Sequence, residues 1–266
     1  MSPTPALTPE QRALREKLGA GARFDADAAP HTELLLARQG TAYLLRKLQE
    51  LRDDDLDAPS LLPGWSRRHL VAHIGYNARA LARLVQWART GVETPMYESD
   101  DQRRHEIVFG ATLPPRALRH LVEHAVVHLN VEWRDLEDAQ WDHPVVTAQG
   151  REVPVRETAW MRAKEVWVHA VDLGNGGSFH DFPAEMNDRI IDDVFRVWTR
   201  RGESVSVRVA KTDRTGADAV RSHGAPSDPD AEVSGRTADL ARWLARGDPR
   251  GVSSPTGRVP EIPHWF

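Results

Sequence analysis

The sequence predicts a multi-domain α and α+β fold, a four-helix bundle followed by a small α+β domain, and three observations carry that expectation. Four long segments before residue 175 repeat apolar residues at helical spacing. The glycines and the proline of GNGGSFHDFP, residues 174–183, mark a boundary. Beyond it the apolar period shortens to the alternation of VSVRVAKT, which reads as a strand. Residues 1–30 are then an N-terminal extension, 31–175 the bundle and 183–266 the C-terminal domain.

Composition bounds the function classes. The chain has 266 residues, 40% hydrophobic and 28% charged, an ordinary globular mix with ample length for a core. A net charge of −4 with both signs interspersed leaves no electrostatic footprint for nucleic acid or anionic lipid, so neither is expected as a partner. No apolar run approaches the roughly 18 residues of a membrane span. The N-terminus lacks the basic start and apolar core of a secretory signal, and the expected compartment is the cytoplasm. Cysteine is absent. A metal must therefore be held by His, Asp and Glu, and any thiol chemistry must use a thiol brought in by another molecule.

The elements follow in order. The extension is rich in Ala, Pro and small polar residues and holds one short helical candidate, Pro9 to Leu18. TELLLARQGTAYLLRKLQEL, from Thr32 to Leu51, is the first core helix. The second lies within Ser60 to Gly91, with Ser66 as N-cap after the Pro63-Gly64 turn and Gly91 as its stop. Its apolar stripe contains Leu70, Ile74, Leu81, Leu84 and Ala88. His73 and Asn77 lie on or beside that stripe, and His69 points outward. A lone histidine there is a hydrogen-bonded core residue unless a chelating pair faces it from another helix.

Residues 91–113 form a connection with a short helix around Gln102 to Phe109, before a third long helix from Pro115 to Asp138. His120, His124 and His128 recur four apart on this helix. His120 turns away from the Leu118, Leu121, Ala125, Leu129 stripe, so the three do not converge, and an internal hydrogen-bonding role is expected for His128 with Glu132. WDHPVVTAQGREVPVRET is a hairpin or an extended loop around Gly150. The fourth helix, ETAWMRAKEVWVHAVDL, places Glu165 and His169 one turn apart on one face. Both flank an apolar stripe centred on Val166, with Arg162 on the same side, as a pocket wall would place them. A carboxylate and an imidazole so arranged are part of a metal chelate if a third ligand arrives from elsewhere in the fold. In the C-terminal domain, a helix from Ala184 to Thr199 precedes VSVRVAKT, a weaker extended stretch ADAVRSH, the turn PSDPD, a short strand AEVSG and the helix TADLARWLARG ended by Gly247.

Several stretches together carry a family resemblance over nearly the whole chain: SLLPGWSRRHLVAHIGYNARAL, GVETPMY, TAQGREVP, ETAWMRAKEVWVHAVDLG and VSGRTADLARW. The sequence resembles the mycothiol-dependent maleylpyruvate isomerases of gentisate degradation, within the wider DinB-like superfamily of metal-binding four-helix bundles. The resemblance implies a zinc ion held by His73, Glu165 and His169, mycothiol as thiol cofactor, and a second domain similar to sterol-carrier domains. It also implies an essential arginine in that second domain, matched here by Arg242.

The implied reaction is cis–trans isomerisation of maleylpyruvate to fumarylpyruvate. A thiolate adds to the double bond, the resulting single bond rotates, and the thiol leaves. The dicarboxylate substrate needs cations, for which Arg242 and Arg162 are candidates. Asn77 is placed to contact substrate or cofactor, and Asp172 to support a metal ligand from behind. Two other classes share these features: a mycothiol S-transferase acting on other electrophiles, and a non-catalytic zinc-binding bundle. Nothing in the sequence sets the oligomeric state, and a monomer satisfies it.

Overall fold

In a computed structural model that describes residues 13, 16, 17, 23–224 and 231–265, the chain divides into two compact units, Met1–Asn175 and Gly176–Phe266. The first unit contains α1 (His31–Gln49), α2 (Arg67–Thr90), α3 (Asp100–Ala111), α4 (Pro115–Arg134) and α5 (Glu157–Asp172). The short antiparallel pair β1 (Pro144–Val146) and β2 (Glu152–Pro154) lies between α4 and α5 and turns at Gly150, whose φ is 72°. The hairpin alternative for this stretch is thus the one adopted.

Helix α2 packs against α4, α3 and α5, and α1 packs against α5. Their sequences explain the boundaries. The Ser66 hydroxyl accepts from the His69 amide at the start of α2, and Gly91 ends it in a left-handed conformation that few other residues adopt without strain. Leu70, Leu81 and Leu84 are 0% exposed, so burial of this stripe drives the docking. Helix α4 stops at Arg134, four residues short of the expected end, and after three intervening residues a 3-10 turn runs over Asp138–Asp142.

Close approach of α1 to α5 requires a residue without a side chain. A Cβ on Gly40 would lie 2.6 Å from the Trp167 ring and 2.7 Å from Val166. Trp167 is held in place by stacking on Tyr43 and by donating its indole hydrogen to the Leu36 carbonyl at 2.9 Å. Residues 23–30 are tied down: the Arg38 guanidinium grips both oxygens of Asp25 at 2.5 and 2.7 Å, and Asp138 accepts from the Ala28 amide. The helical candidate Pro9 to Leu18 lies largely outside the described residues, as does the PSDPD turn.

The second unit contains α6 (Ala184–Arg201), β3 (Val207–Lys211), β4 (Val220–His223), β5 (Ala231–Gly235), α7 (Thr237–Arg246) and β6 (Val252–Ser253). Its sheet has the order β4-β3-β5-β6, with β3 and β5 parallel and the outer pairs antiparallel. Helices α6 and α7 pack on each other. Strand β6 is new relative to the sequence reading, since two residues are too few to show alternation. Among the described residues, no helix is long and apolar enough to cross a membrane.

Candidate metal centre

Helix α5 is buried on nearly every side, from Thr158 through Asp172, so the flank carrying Glu165 and His169 faces protein rather than bulk water. Docking of α2 brings His73 onto that flank. The Nε2 atoms of His73 and His169 then meet one carboxylate oxygen of Glu165, at 3.0 and 3.1 Å. The two imidazole rings stand edge to face, 5.1 Å apart. Ligand atoms of all three residues lie within 4.8 Å of one another, and among the described residues this is the group so arranged. The side chains of His73 and His169 are 7% and 11% exposed against 19% for Glu165, so the cluster opens toward solvent on the carboxylate side.

The donor set fits a divalent cation. His169 Nδ1 lies 2.8 Å from the Asp172 carboxylate, so both nitrogens of one ring face carboxylate oxygens. A neutral ring that donates from Nδ1 has only a lone pair at Nε2, and that lone pair would oppose the lone pairs of Glu165. Either a second proton or a cation must stand between them. The ionisation equilibria express the same frustration. Burial works against charge on Glu165, yet the hydrogen bonds and charges of His169 and His73 hold its carboxyl well below the ordinary range. Burial likewise opposes charge on His169, but Asp172 and Glu165 outweigh it and raise the ring to about 9. For His73 burial prevails over Glu165 and its pKa falls. Its Nδ1 is buried without a hydrogen-bond partner, and Trp65 packs edge-on against the ring at 5.5 Å.

The other candidate residues fall in distinct places. Arg162 is 1% exposed, and its Nη1 donates to the Ile74 carbonyl and to Asn77 Oδ1, each at 2.9 Å. Since Ile74 and Asn77 belong to α2, Arg162 clips α5 to the helix that carries His73. Its Nη2 has no partner, and burial lowers its pKa to about 10. Arg242, on α7 of the second unit, pairs with Asp239 at 3.0 Å and Asp248 at 3.2 Å and donates to the Arg250 carbonyl. His180 shares the same Asp239 oxygen at 2.9 Å.

The histidines of α4 do not converge. His120 is exposed beside Glu123, whereas His128 meets the buried Glu132, which also accepts from Gln86 and Arg89. Sequence reasoning passed over Tyr97 and Arg103. The Arg103 guanidinium carbon lies 5.9 Å from the Tyr97 ring centroid, and Arg103 lies near enough to His73 to disfavour its protonation. The available signal was the GVETPMY stretch, which ends in Tyr97.

Comparison with known proteins agrees with this architecture. Residues 37–174 match the family model described as the mycothiol maleylpyruvate isomerase N-terminal domain. Two crystal structures, of a mycothiol-dependent maleylpyruvate isomerase and of its histidine-to-alanine mutant, are 43% and 42% identical to the chain, each with a TM-score of 0.82. Each comparison covers 88% of this chain and 96% of the solved one. No curated protein matches the chain. With a family model spanning just over half its length and solved relatives above 40% identity, the chain belongs to the mycothiol-dependent maleylpyruvate isomerase family.

Proposed function

We propose that the chain isomerises maleylpyruvate to fumarylpyruvate with mycothiol as thiol cofactor, at a zinc site formed by His73, Glu165 and His169. The observation that carries this reading is the convergence of those three side chains on one point, in a member of the isomerase family. Zinc held there supplies a positive charge that favours the thiolate form of a bound thiol at neutral pH.

The chain's own residues prepare that chemistry. Asp172 accepts the Nδ1 hydrogen of His169 and thereby turns a lone pair on Nε2 toward the ligand position. Arg162 fixes the spacing of α2 and α5 and leaves its charge at the floor of the site. It also orients Asn77, whose carbonyl oxygen it engages. Trp65 covers one edge of His73 and limits water there. In the second unit Arg242 is the residue we assign to a substrate carboxylate, with Asp239 and Asp248 fixing its guanidinium. The reading also carries a cytoplasmic location, a role in aromatic catabolism through gentisate, and a sterol-carrier-like description of the second unit, which its four-stranded sheet and two helices support.

The test is direct. Zinc-loaded protein, mycothiol and maleylpyruvate are combined and the trans product is followed. Turnover that requires both zinc and mycothiol supports the assignment, and none under those conditions overturns it.

A further inference from the structure

The loop that leads into α2 contributes no residue to the triad, yet it meets the triad from two directions. The Leu61 amide donates at 2.8 Å to the carbonyl of Asp172, whose carboxylate engages His169. The Trp65 ring stands against His73, with centroids 5.5 Å apart. The loop is also closed on itself. The Ser60 amide and hydroxyl both donate to the Trp65 carbonyl at 2.9 Å, and the Trp65 amide donates to the Leu62 carbonyl at 3.1 Å. Gly64, with a φ of 78°, makes the turn. Trp65 is thus presented beside His73 by a fixed frame.

Seven of the nine tryptophans are buried, and Trp65 and Trp87 are the two that reach the surface. Trp87 lies about four turns further along α2, against His143 and remote from the triad. Trp133, Trp167 and Trp265 donate their indole hydrogens to protein acceptors, but among the described residues the Trp65 indole has no acceptor. Leu61, on the same loop, is 62% exposed. His69 is half-buried, with its ring 6.5 Å from that of Trp65. Its Nδ1 is held by the Ser66 hydroxyl at 2.7 Å, and its Nε2 has no partner among the described residues. An aromatic surface flanked by an unengaged indole N–H and an unengaged imidazole nitrogen suits a ligand that is apolar on its faces and polar around its rim.

We propose that Trp65 and His69 form the subsite for the first sugar ring of the thiol cofactor. This inference rests on the proposed function and names the surface that selects mycothiol among thiols. Mycothiol carries its thiol on an N-acetylcysteinyl group, amide-linked to glucosamine, which is joined in turn to inositol. A sugar ring has C–H groups on its faces, which pack on an indole, and hydroxyls around its rim, which either donate to or accept from His69 Nε2. One cysteinyl unit separates thiol from glucosamine, roughly 6 Å when extended, so a thiol at the triad leaves the sugar within reach of a side chain that touches His73. Because the loop is already fixed, little ordering entropy is lost when the sugar arrives.

The experiment uses the full-length zinc-loaded protein, titrated calorimetrically with mycothiol and separately with N-acetylcysteinamide, which has the same thiol and amide but no sugar. Wild type is expected to bind mycothiol about tenfold or more tightly than N-acetylcysteinamide. Trp65→Leu is expected to weaken mycothiol binding about five- to tenfold and to leave N-acetylcysteinamide unchanged, whereas Trp65→Phe, which keeps an aromatic face, loses about threefold at most. His69→Phe tests the same subsite without touching Trp65 and is expected to weaken mycothiol alone, by about threefold or more. Bound zinc and the circular dichroism spectrum stay at wild-type levels throughout. In turnover, Trp65→Leu raises the KM for mycothiol more than it lowers kcat. A merely structural wall would weaken both thiols alike, so equal losses in Trp65→Leu overturn the proposal. Unchanged mycothiol binding in that variant, or a wild type without preference for mycothiol, overturns it too. The two readings fail separately. Mycothiol-dependent turnover with thiol preference unchanged in Trp65→Leu removes this inference alone, and a Trp65-dependent preference for mycothiol without turnover of maleylpyruvate removes only the isomerase assignment.

Discussion

The Asp172 carboxylate lies 2.8 Å from Nδ1 of His169, on the same helix and one turn further on, and so decides which nitrogen of that ring faces Glu165. Asp172→Asn keeps the volume but removes the charge that stabilises the Nδ1 hydrogen. Zinc affinity, measured by competition with a chromophoric chelator, is expected to fall about 10- to 100-fold, with the helical content unchanged.

Removal of a ligand has a sharper outcome. His169→Ala leaves two of the three donors, and metal analysis after dialysis is expected to show loss of the bound ion. Helix α5 retains its Val166, Ala170 and Leu173 contacts, so a cooperative melting transition should persist. Full metal retention in this variant would exclude the site.

The pH dependence follows from His169, whose pKa is raised to about 9 from 6.5. Metal must displace its Nε2 proton, so below about pH 9 the zinc affinity should rise roughly tenfold per pH unit, with about one proton released per ion bound. Calorimetry in buffers of different ionisation enthalpy measures that proton. The sign for the metal-free protein is opposite. A raised folded-state pKa contributes stability that is complete below 6.5 and is lost as the pH climbs through about 9. Metal-free protein should therefore lose thermal stability between these values.

At the α1–α5 contact, Gly40→Ala sets two effects against each other. Helix propensity gains about 1 kcal/mol. Overpacking costs about 1–3 kcal/mol, and the upper part applies because the Trp167 ring, 2.6 Å from the new carbon, is tethered to Leu36. A net loss of about 1–2 kcal/mol in chemical denaturation is expected, with some loss of zinc affinity because Trp167 lies between the proposed ligands Glu165 and His169 in sequence.

Much of the first unit was legible in the sequence because its signals are local. Ser66 and Gly91 bracket α2 in the sequence and in space, and Gly150 turns the hairpin that the β-branched residues on either side suggested. The one-turn spacing of Glu165 and His169 is likewise a local property of a helix. His73 is not: its place opposite them depends on the docking of α2 with α5, which no periodicity encodes, and only the family resemblance supplied it. The role of Arg162 was ambiguous for the same reason. Helical spacing put it beside the pair, but its bonds to Ile74 and Asn77 are long-range. Tyr97 and Arg103 lie in a connection and on the short helix after it, where side-chain direction depends on anchors such as Met96 and Ser99 rather than on a repeat.

His73 and Glu165 are 92 residues apart in the chain. The ligand set is therefore absent from any nascent fragment that ends before α5, however well α2 has formed. A metal ion bound at this triad would find no complete site until α5 docks on α2, so its loading would follow the assembly of those two helices. Metal occupancy, on the proposed reading, would then report completed folding, and scarcity of the ion would yield folded but inert molecules rather than misfolded ones.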